Sequence, residues 1–153
     1  MSSLYSVELT RFLETNKNKK IVFTNGCFDL LHRGHVTYLN EARSLGDLLV
    51  VGINSDRSVR ELKGSQRPVV NEQDRKFVLE NLKAVSFAEI FDESTPLNLI
   101  LQVKPQVLVK GGDWPIDKIV GAKEVLSSGG IVKTLTFVNG HSTSSLISKI
   151  ISL

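Results

Sequence analysis

The stretch IVFTNGCFDLLHRGHVTYLNEARSLGDLLVVGIN, residues 21–54, holds two short apolar runs separated by a segment with helical periodicity. The runs, over residues 20–24 and 47–53, are continuous rather than alternating, as in parallel strands that are buried on both faces. Between them, apolar residues recur at three-residue steps and are followed by a glycine: Val36, Leu39, Ala42, Leu45 and then Gly46. The pattern predicts a strand–helix–strand unit with parallel strands.

The rest of the chain repeats this alternation of strands and helices. Further strands are predicted over residues 86–91, 107–109 and 131–138. Helices are predicted over residues 4–15, 56–62, 71–85, 95–104 and 120–128, and from residue 142 onward. Two of these helices carry apolar side chains that we expect to face the core: Phe77, Val78, Leu82 and Val85 on the helix over residues 71–85, and Leu146, Ile147, Ile150 and Ile151 on the last.

Buried strands that alternate with helices predict an α/β fold, a single Rossmann-like doubly wound domain. We expect a mainly parallel five-stranded sheet that is flanked by helices on both faces. No repeat or linker interrupts the pattern, so one domain should span residues 1–153. Within it, we expect an N-terminal helix and loop over residues 1–19 and the α/β core over residues 20–153.

The composition is that of an ordinary globular protein, with 41% hydrophobic and 23% charged residues among 153. The formal charge of +3 is small, and its basic residues are spread among acidic ones, so we expect no nucleic-acid partner. No apolar run approaches the roughly 20 residues of a membrane span, and the N-terminal segment is unlike a signal peptide. The single cysteine, Cys27, excludes a disulfide framework and favours a reducing compartment, so we expect a soluble, cytoplasmic protein.

Polar segments follow four of the predicted strands: TNGCFDLLHRGH (24–35), INSDRS (53–58), KGGDW (110–114) and NGHSTSS (139–145). Doubly wound sheets bind ligands beyond the carboxyl ends of their strands, at the point where the strand order reverses. The four segments should therefore meet at one rim of the sheet. None of them has the spacing of a Walker loop or of a dinucleotide fingerprint.

The side chains in these segments suit a polyphosphate ligand. His32 and His35 stand at the predicted start of a helix, where free amides and the helix dipole favour an anion, and Gly34 lets a ligand approach the backbone. The last helix begins with four hydroxyl residues, 142–145. Three loop cations complete the set: Lys63, Arg67 and Lys110.

A zinc site is an alternative interpretation of the first segment, since Cys27, Asp29, His32 and His35 are all possible ligands. Structural zinc sites favour paired C-x-x-C or H-x₃₋₅-H elements, whereas only two residues separate these histidines. The phosphate interpretation is therefore favoured, and the zinc interpretation stays open at this point.

The segment NGCFDLLHRGHVTYLNEARSLGD resembles the H-x-G-H nucleotidyltransferase superfamily, in its cytidylyltransferase-like branch. The similarity continues from about residue 20 through NSDRSVRELKGSQRPV, EQDRKFVLENL, LVKGGDW, GAKEVLSSGG and GHSTSSLISKI. The KG-x-x-RP and KGGD elements are most similar to the members that act on D-glycero-β-D-manno-heptose 1-phosphate. Those members are often fused to a sugar kinase domain, which these 153 residues do not contain, so a stand-alone nucleotidyltransferase domain is expected.

The resemblance implies transfer of AMP from ATP to this heptose phosphate with Mg²⁺, giving ADP-heptose and pyrophosphate for a surface polysaccharide or glycoprotein. It also implies site residues in three groups. Those implied to be catalytic are His32, His35, Lys63 and Thr143. Those implied to bind the nucleotide are Thr24, Asn25, Gly26, Phe28, Asp29, Gly34, Lys110, Gly111, Asp113, Ser142 and Ser144. Those implied to bind the acceptor are Arg67, Arg75 and Trp114.

No fixed protein metal site is implied, because Mg²⁺ is expected to bind mainly through ATP; Asp29 could help to place it or could orient a histidine. The implied partners are ATP and a sugar 1-phosphate, a homodimer or higher homo-oligomer, and a separate heptose kinase and phosphatase. Two other functions remain open at this stage. One is a cytidylyltransferase for glycerol 3-phosphate or a phosphorylated amino alcohol, and the other is a non-catalytic nucleotide-binding sensor.

Overall fold

A computed structural model describes residues 4–153 as alternating strands and helices. The strands are β1 (Ile21–Gly26), β2 (Leu48–Asn54), β3 (Phe87–Phe91), β4 (Val107–Gly111) and β5 (Ile131–Leu135). The helices are α1 (Val7–Thr15), α2 (Arg33–Arg43), α3 (Asp56–Lys63), α4 (Glu72–Glu80), α5 (Leu97–Val103), α6 (Ala122–Ser127) and α7 (Thr143–Ile151), with a short 3₁₀ helix at Ile116–Lys118. Residues 1–3, which are expected to belong to the N-terminal helix and loop, lie outside the described residues.

The five strands form one sheet in the order β3-β2-β1-β4-β5, and every neighbouring pair is parallel. The chain moves outward from β1 through β2 to β3, and then returns to the other side of β1 for β4 and β5. The strand order therefore reverses between β1 and β4. The doubly wound α/β fold with a five-stranded sheet is confirmed, and the sheet is parallel throughout.

Each face of the sheet carries its own apolar layer, because successive side chains of a strand point to opposite faces. On one face, Leu39 of α2 and Leu79 of α4 pack with Val22 and Leu49. On the other face, helices α1, α5 and α6 pack against side chains that include Phe23 and Val50. The prediction of helices on both faces is thus confirmed.

Helix α4 differs from its prediction. It ends at Glu80 instead of residue 85, and its buried stripe runs through Arg75 and Leu79, which are four residues apart. Phe77 and Val78 were expected to face the core, but they are 69% and 45% exposed, so that orientation is wrong. Beyond the helix end, Val85 is buried and Leu82 packs partly against the core, in agreement with the prediction.

The end of the chain also departs from the predicted burial. On α7, Leu146 and Ile147 are partly buried, but Ile150 and Ile151 are 59% and 80% exposed. A helical pattern shows which side chains share a stripe, but it does not show how far the neighbouring elements extend along that stripe. Two smaller differences concern β5 and α2. Strand β5 ends at Leu135 instead of residue 138. Val36 of α2 is 38% exposed, although the predicted apolar series of that helix includes it.

Within residues 4–153, none of the helices has both the length and the apolar content that crossing a membrane requires.

Candidate active site

A cleft of about 630 Å³ opens at the carboxyl ends of β1 and β4, where the strand order reverses. Asn25 and Gly26 of β1 and Lys110 and Gly111 of β4 form its floor. The starts of α2 and α7 and the end of α3 surround it. All four polar segments singled out in the sequence contribute to the cleft, as the strand-end rule predicts.

The two histidines of HRGH cap helix α2 reciprocally. Gly34 N–H donates to Nδ1 of His32 at 3.0 Å, and His32 N–H donates to Nδ1 of His35 at 3.3 Å. Because each Nδ1 acts as an acceptor, the proton of each neutral ring is on Nε2. The rings are 3.9 Å apart between centroids, and both line the cleft. Each therefore has one Nε2–H group without a protein acceptor among residues 4–153.

Both histidines are held in the neutral form at physiological pH. The pKa of His35 is lowered to about 4, chiefly by burial and to a smaller extent by the nearby charges of His32 and Lys63. Burial also lowers the pKa of His32, with a contribution from His141. In the unliganded protein the two side chains are consequently neutral hydrogen-bond donors rather than cations.

The ring of His35 is supported by an aromatic residue in an unusual backbone conformation. Phe28 has a φ of 49°, in the left-handed region that bulky residues avoid at a cost of about 1–3 kcal/mol. Its ring lies 5.6 Å from that of His35 between centroids and sits over Gly26, where an added Cβ would be 3.0 Å from it. The strained residue thus forms one wall of the cleft beside the predicted donor.

The starts of α2 and α7 are joined directly. Thr143 Oγ1 donates to the carbonyl oxygen of Leu30 at 3.0 Å, and Ser142 accepts from Ser145 N–H as the N-cap of α7. A Cβ added to Gly34 would lie 3.2 Å from the Cβ of His141, so glycine is what allows this close approach. The two helix N-termini, each with unpaired amides, therefore border the same cleft.

Asp29 fastens the segment between α3 and α4 to the first loop. Its carboxylate accepts from Arg67 Nε at 2.7 Å and from the amides of Val69 and Val70 at 2.9–3.0 Å. Burial raises the pKa of the carboxyl, but these hydrogen bonds and the guanidinium charge outweigh it, so the pKa lies below its usual value. The expectation that Asp29 orients a histidine is wrong, since its partners are Arg67 and two backbone amides.

Arg75 has a structural role rather than a place in the cleft. The side chain is 1% exposed, and its guanidinium donates to the carbonyl oxygens of Cys27 and Val70 and to Asp56 at 2.6–2.9 Å. The expectation that it reaches the acceptor phosphate is therefore not met. Instead, it bridges the first loop, the segment before α4 and the start of α3.

Three cations line the cleft: Lys63 at the end of α3, Arg67 in the following turn and Lys110 at the end of β4. Burial lowers the pKa of Lys110, partly offset by Cys27. Arg67 is engaged with Asp29 through Nε, which leaves its two terminal amino groups directed to no acceptor in the described part of the chain. The positive side chains predicted from the loops are thus brought together.

Most of the predicted site residues line the cleft, and four do not. Thr24 is fully buried and shares a 2.6 Å hydrogen bond with Tyr38, because its side chain points to the α2 face of the sheet. Arg75 is the buried bridge between loops, while Asp113 and Trp114 lie outside on the exposed turn after β4, with Trp114 52% exposed.

Several residues of the cleft were not predicted from the sequence to belong to it. They are Cys27, which was predicted only as a possible zinc ligand, and Tyr38, Asn54, Leu62, Ser94, Thr95, Pro96, Val120, Phe137, Val138 and His141. Ser94–Pro96 follows β3 and could have been found from the strand-end rule, whereas Phe137 and Val138 were assigned to the last strand. No three His, Cys, Asp or Glu side chains within residues 4–153 are arranged to hold a metal ion.

The fold and the cleft together are those of a nucleotidyltransferase, with donors and cations at the switch point of a doubly wound sheet. Residues 23–149 match the cytidylyltransferase-like family, and the chain belongs to that family.

The curated relatives support this assignment over most of the chain. The chain is 57% identical over 137 residues to the bifunctional protein HldE of Geotalea uraniireducens, and 53% identical over 138 residues to that of Geobacter sulfurreducens. Each alignment covers 90% of this chain and 28% of the relative. The chain thus spans just over a quarter of the length of the curated relatives that it matches.

Two solved structures share the fold. A lipopolysaccharide core biosynthesis protein from Thermoplasma volcanium is 31% identical with a TM-score of 0.62, and the match covers 78% of this chain and 97% of that one. Pantothenate synthetase from Thermus thermophilus is 18% identical with a TM-score of 0.53, and the match covers 85% of this chain and 60% of that one. The second comparison shows the fold alone.

Proposed function

We propose that this protein transfers AMP from ATP to D-glycero-β-D-manno-heptose 1-phosphate and releases ADP-heptose and pyrophosphate. The observation that carries the proposal is the pair of neutral imidazoles at the start of α2, whose Nε2–H groups have no acceptor among the described residues and line a cleft that also holds three cations. The heptose acceptor is supported by the KGSQRP and KGGD elements and by identity of more than half to bifunctional HldE proteins.

The chemistry needs donors more than it needs a base. A phosphate oxygen of the sugar, already anionic at neutral pH, attacks the α-phosphorus of ATP, and the bond from that phosphorus to the bridging oxygen breaks. The electron pair leaves with pyrophosphate. The protein has to hold these groups in line and stabilise the charge that develops on the phosphate oxygens.

The imidazoles and Lys63 are proposed to act at the α-phosphate. His35 and His32 donate through Nε2–H to phosphoryl oxygens, and a neutral donor needs no proton transfer to do so. Lys63 adds a positive charge where the two substrates meet, close enough to His35 to affect its pKa after the larger effect of burial. These contacts gain strength in the transition state, when charge on the oxygens is greatest.

The start of α7 is proposed to bind the leaving phosphates. The hydroxyl of Thr143 already donates to Leu30, so its contribution to phosphate binding is assigned to its backbone N–H instead. Ser144 supplies a hydroxyl and a second amide, and the positive end of the helix dipole favours the anion. Ser142 remains the N-cap.

The remaining cations are proposed to divide between the two substrates. Arg67 can donate to the sugar phosphate through its terminal amino groups while Asp29 holds its Nε. Lys110 and Gly111 line the cleft at the end of β4 and are assigned to the nucleotide. Asp113 and Trp114 keep no role, because their turn lies outside the cleft.

Family membership implies a divalent-metal-dependent reaction, and we propose Mg²⁺ as the ion. The described residues offer no three-ligand metal site, and the Asp29 oxygens are occupied by four hydrogen bonds. The residues therefore do not fit a resident ion. Mg²⁺ is assigned to the substrate, as the ion that accompanies ATP.

The direct test offers ATP, CTP, GTP and UTP separately with Mg²⁺ and with either the heptose phosphate or glycerol 3-phosphate, and follows pyrophosphate release with mass detection of the product. Release with ATP and a product mass of ADP-heptose is expected. Release with CTP and glycerol 3-phosphate instead would refute the proposed substrates, and ATP binding without release from any acceptor would favour a sensor. His35→Ala should lower kcat by about 10²–10³, so turnover within tenfold of the wild type would contradict the donor role.

We also propose an enzymatic source for the acceptor and an oligomeric state for the protein. The reaction requires an enzyme that makes the heptose 1-phosphate, and we propose a separate heptose kinase and phosphatase in the cytoplasm, in line with the free thiol of Cys27. The homodimer or higher oligomer is favoured by the exposed Ile150 and Ile151, and sedimentation would test it. A single catalytic domain over residues 1–153 stays a prediction.

A further inference from the structure

His141 is the histidine for which the sequence offered no role, and the structure places it in the cleft wall. It immediately precedes Ser142, the N-cap of α7. Its ring lies nearly parallel to that of His32, at 23° and 6.2 Å between centroids. Its Cβ also approaches Gly34, where an added Cβ would be 3.2 Å away.

The three histidines form a row that leads from the interior to the mouth of the cleft. His35 and His32 are partly buried and lie 3.9 Å apart between ring centroids, and the exposed His141 continues the row on the far side of His32. His35 and His32 each use Nδ1 in the cap of α2, but the imidazole of His141 makes no hydrogen bond to any residue in the range 4–153. Both of its nitrogens are therefore available to a ligand.

The His141 imidazole lies beside the start of α7, where the leaving group is proposed to bind. The first amides of α7, at Thr143 and Ser144, have no partner within the helix, so an anion held there would lie next to His141. A phosphate chain with its reacting end beside His35 and its distal end at α7 would pass all three rings. Packing alone does not account for His141, because its ring is exposed and makes no hydrogen bond within the described residues.

We propose that His141 donates a hydrogen bond to the leaving pyrophosphate and so helps to set the affinity for the β and γ phosphates. The inference rests on the proposed function, whose leaving group it concerns, and it does not depend on the identity of the acceptor. His141 is thus a third imidazole donor of the site, next to the two of the HRGH element.

The test is calorimetric titration of the wild type and variants with pyrophosphate and with ATP, both in the presence of Mg²⁺. His141→Leu removes the donor, whereas His141→Gln retains an N–H donor. Lys149→Leu is the matched control, since it places the same new side chain on the exposed last turn of α7. Thermal unfolding of each variant verifies that the fold is intact.

We expect His141→Leu to weaken pyrophosphate binding about tenfold, the effect of losing one hydrogen bond to a charged group. His141→Gln should recover most of this affinity, and Lys149→Leu should bind as the wild type does. Affinity of His141→Leu within twofold of the wild type, or equal losses in the Leu and Gln variants, would overturn the inference. Because no acceptor is used, a different sugar phosphate in the activity assay would refute the heptose proposal without changing this result.

Discussion

Substitution of Gly34 by alanine should separate the activity of this protein from its stability. A Cβ at this position would lie 2.8 Å from Cε1 and 2.9 Å from Nδ1 of the His32 imidazole. Carbon atoms do not approach so closely, so the ring has to turn away. The turn breaks the 3.0 Å hydrogen bond from Gly34 N–H to Nδ1, and this bond is what sets the direction of the His32 Nε2–H group.

The two effects of the substitution have opposite signs. Alanine is favoured over glycine within a helix by about 0.5–1 kcal/mol, and Gly34 does not have a positive φ that would oppose the change. The lost hydrogen bond costs about 1 kcal/mol, so the net change in the free energy of unfolding should be within about 1 kcal/mol of zero. Loss of one preorganised donor, by contrast, lowers kcat by about 10²–10³.

The assay combines pyrophosphate release at saturating substrates with thermal unfolding. We expect kcat to fall by about two orders of magnitude while Tm changes by no more than about 4 °C. Thr37→Ala, on the exposed face of the same helix, is the control for a new alanine in α2. A Gly34→Ala protein with kcat within threefold of the wild type would refute the reasoning that glycine is required for the His32 orientation.

Three further predictions concern the hydrogen bonds that Asp29 accepts, the pKa of His35 and the packing of α4 on the core. Asp29→Asn should lower the free energy of unfolding by about 3 kcal/mol at pH 7. The pKa of Asp29 in the folded protein is lower than the ordinary carboxyl value. The extra stability of the wild type over Asp29→Asn should therefore be present at neutral pH and be lost as the pH falls below the ordinary carboxyl range and through the lowered pKa. Urea unfolding at a series of pH values would measure this loss. Lys63→Met should raise the pKa of His35 above about 4, yet leave it below the ordinary range since burial is the larger cause, as NMR titration of the ring would record. Leu79→Ala should cost about 2–5 kcal/mol in urea unfolding, whereas Phe77→Ala should cost less than about 0.5 kcal/mol.

Each of these outcomes has a counterpart that would contradict it. Asp113→Asn changes an exposed carboxylate and should leave the free energy of unfolding unchanged. If Asp29→Asn had as small an effect, the hydrogen bonds to Asp29 would not hold the segment before α4 in place. Lys83→Met, at a lysine outside the cleft, should leave the His35 titration unchanged. If Phe77→Ala proved as costly as Leu79→Ala, the orientation of α4 with Phe77 toward solvent would be wrong.

The fold was largely predictable because buried parallel strands leave continuous apolar runs that few other structures produce. The residues at which helices end, and the burial of side chains near those ends, were harder to predict. The end of α4 at Glu80 depends on where the chain must turn toward β3, and the exposure of Ile151 depends on how far the neighbouring elements extend. Neither is a property of the local sequence. Both are decided by tertiary packing, which can override a local pattern.

The site was predictable in its location and less so in its contacts. The strand-end rule brought His32, His35 and Lys110 to one cleft, which the structure contains. The family resemblance implied the same acceptor-binding role for Arg67, which lines the cleft, and for Arg75, which is buried among carbonyl oxygens. The local sequence does not separate the two arginines. Only the tertiary structure shows that the guanidinium of Arg75 is hydrogen-bonded inside the protein.

The way in which Asp29 holds the segment before α4 has a consequence for how this protein tolerates change. Two of the groups that it binds are the backbone amides of Val69 and Val70, which nearly every residue type possesses. Val69 itself is 58% exposed. The side chains of this segment can therefore drift during evolution while the anchor persists, provided that neither position becomes proline. Because neither Val69 nor Val70 lines the cleft, substitutions at these two positions should leave the donors of α2 as they are.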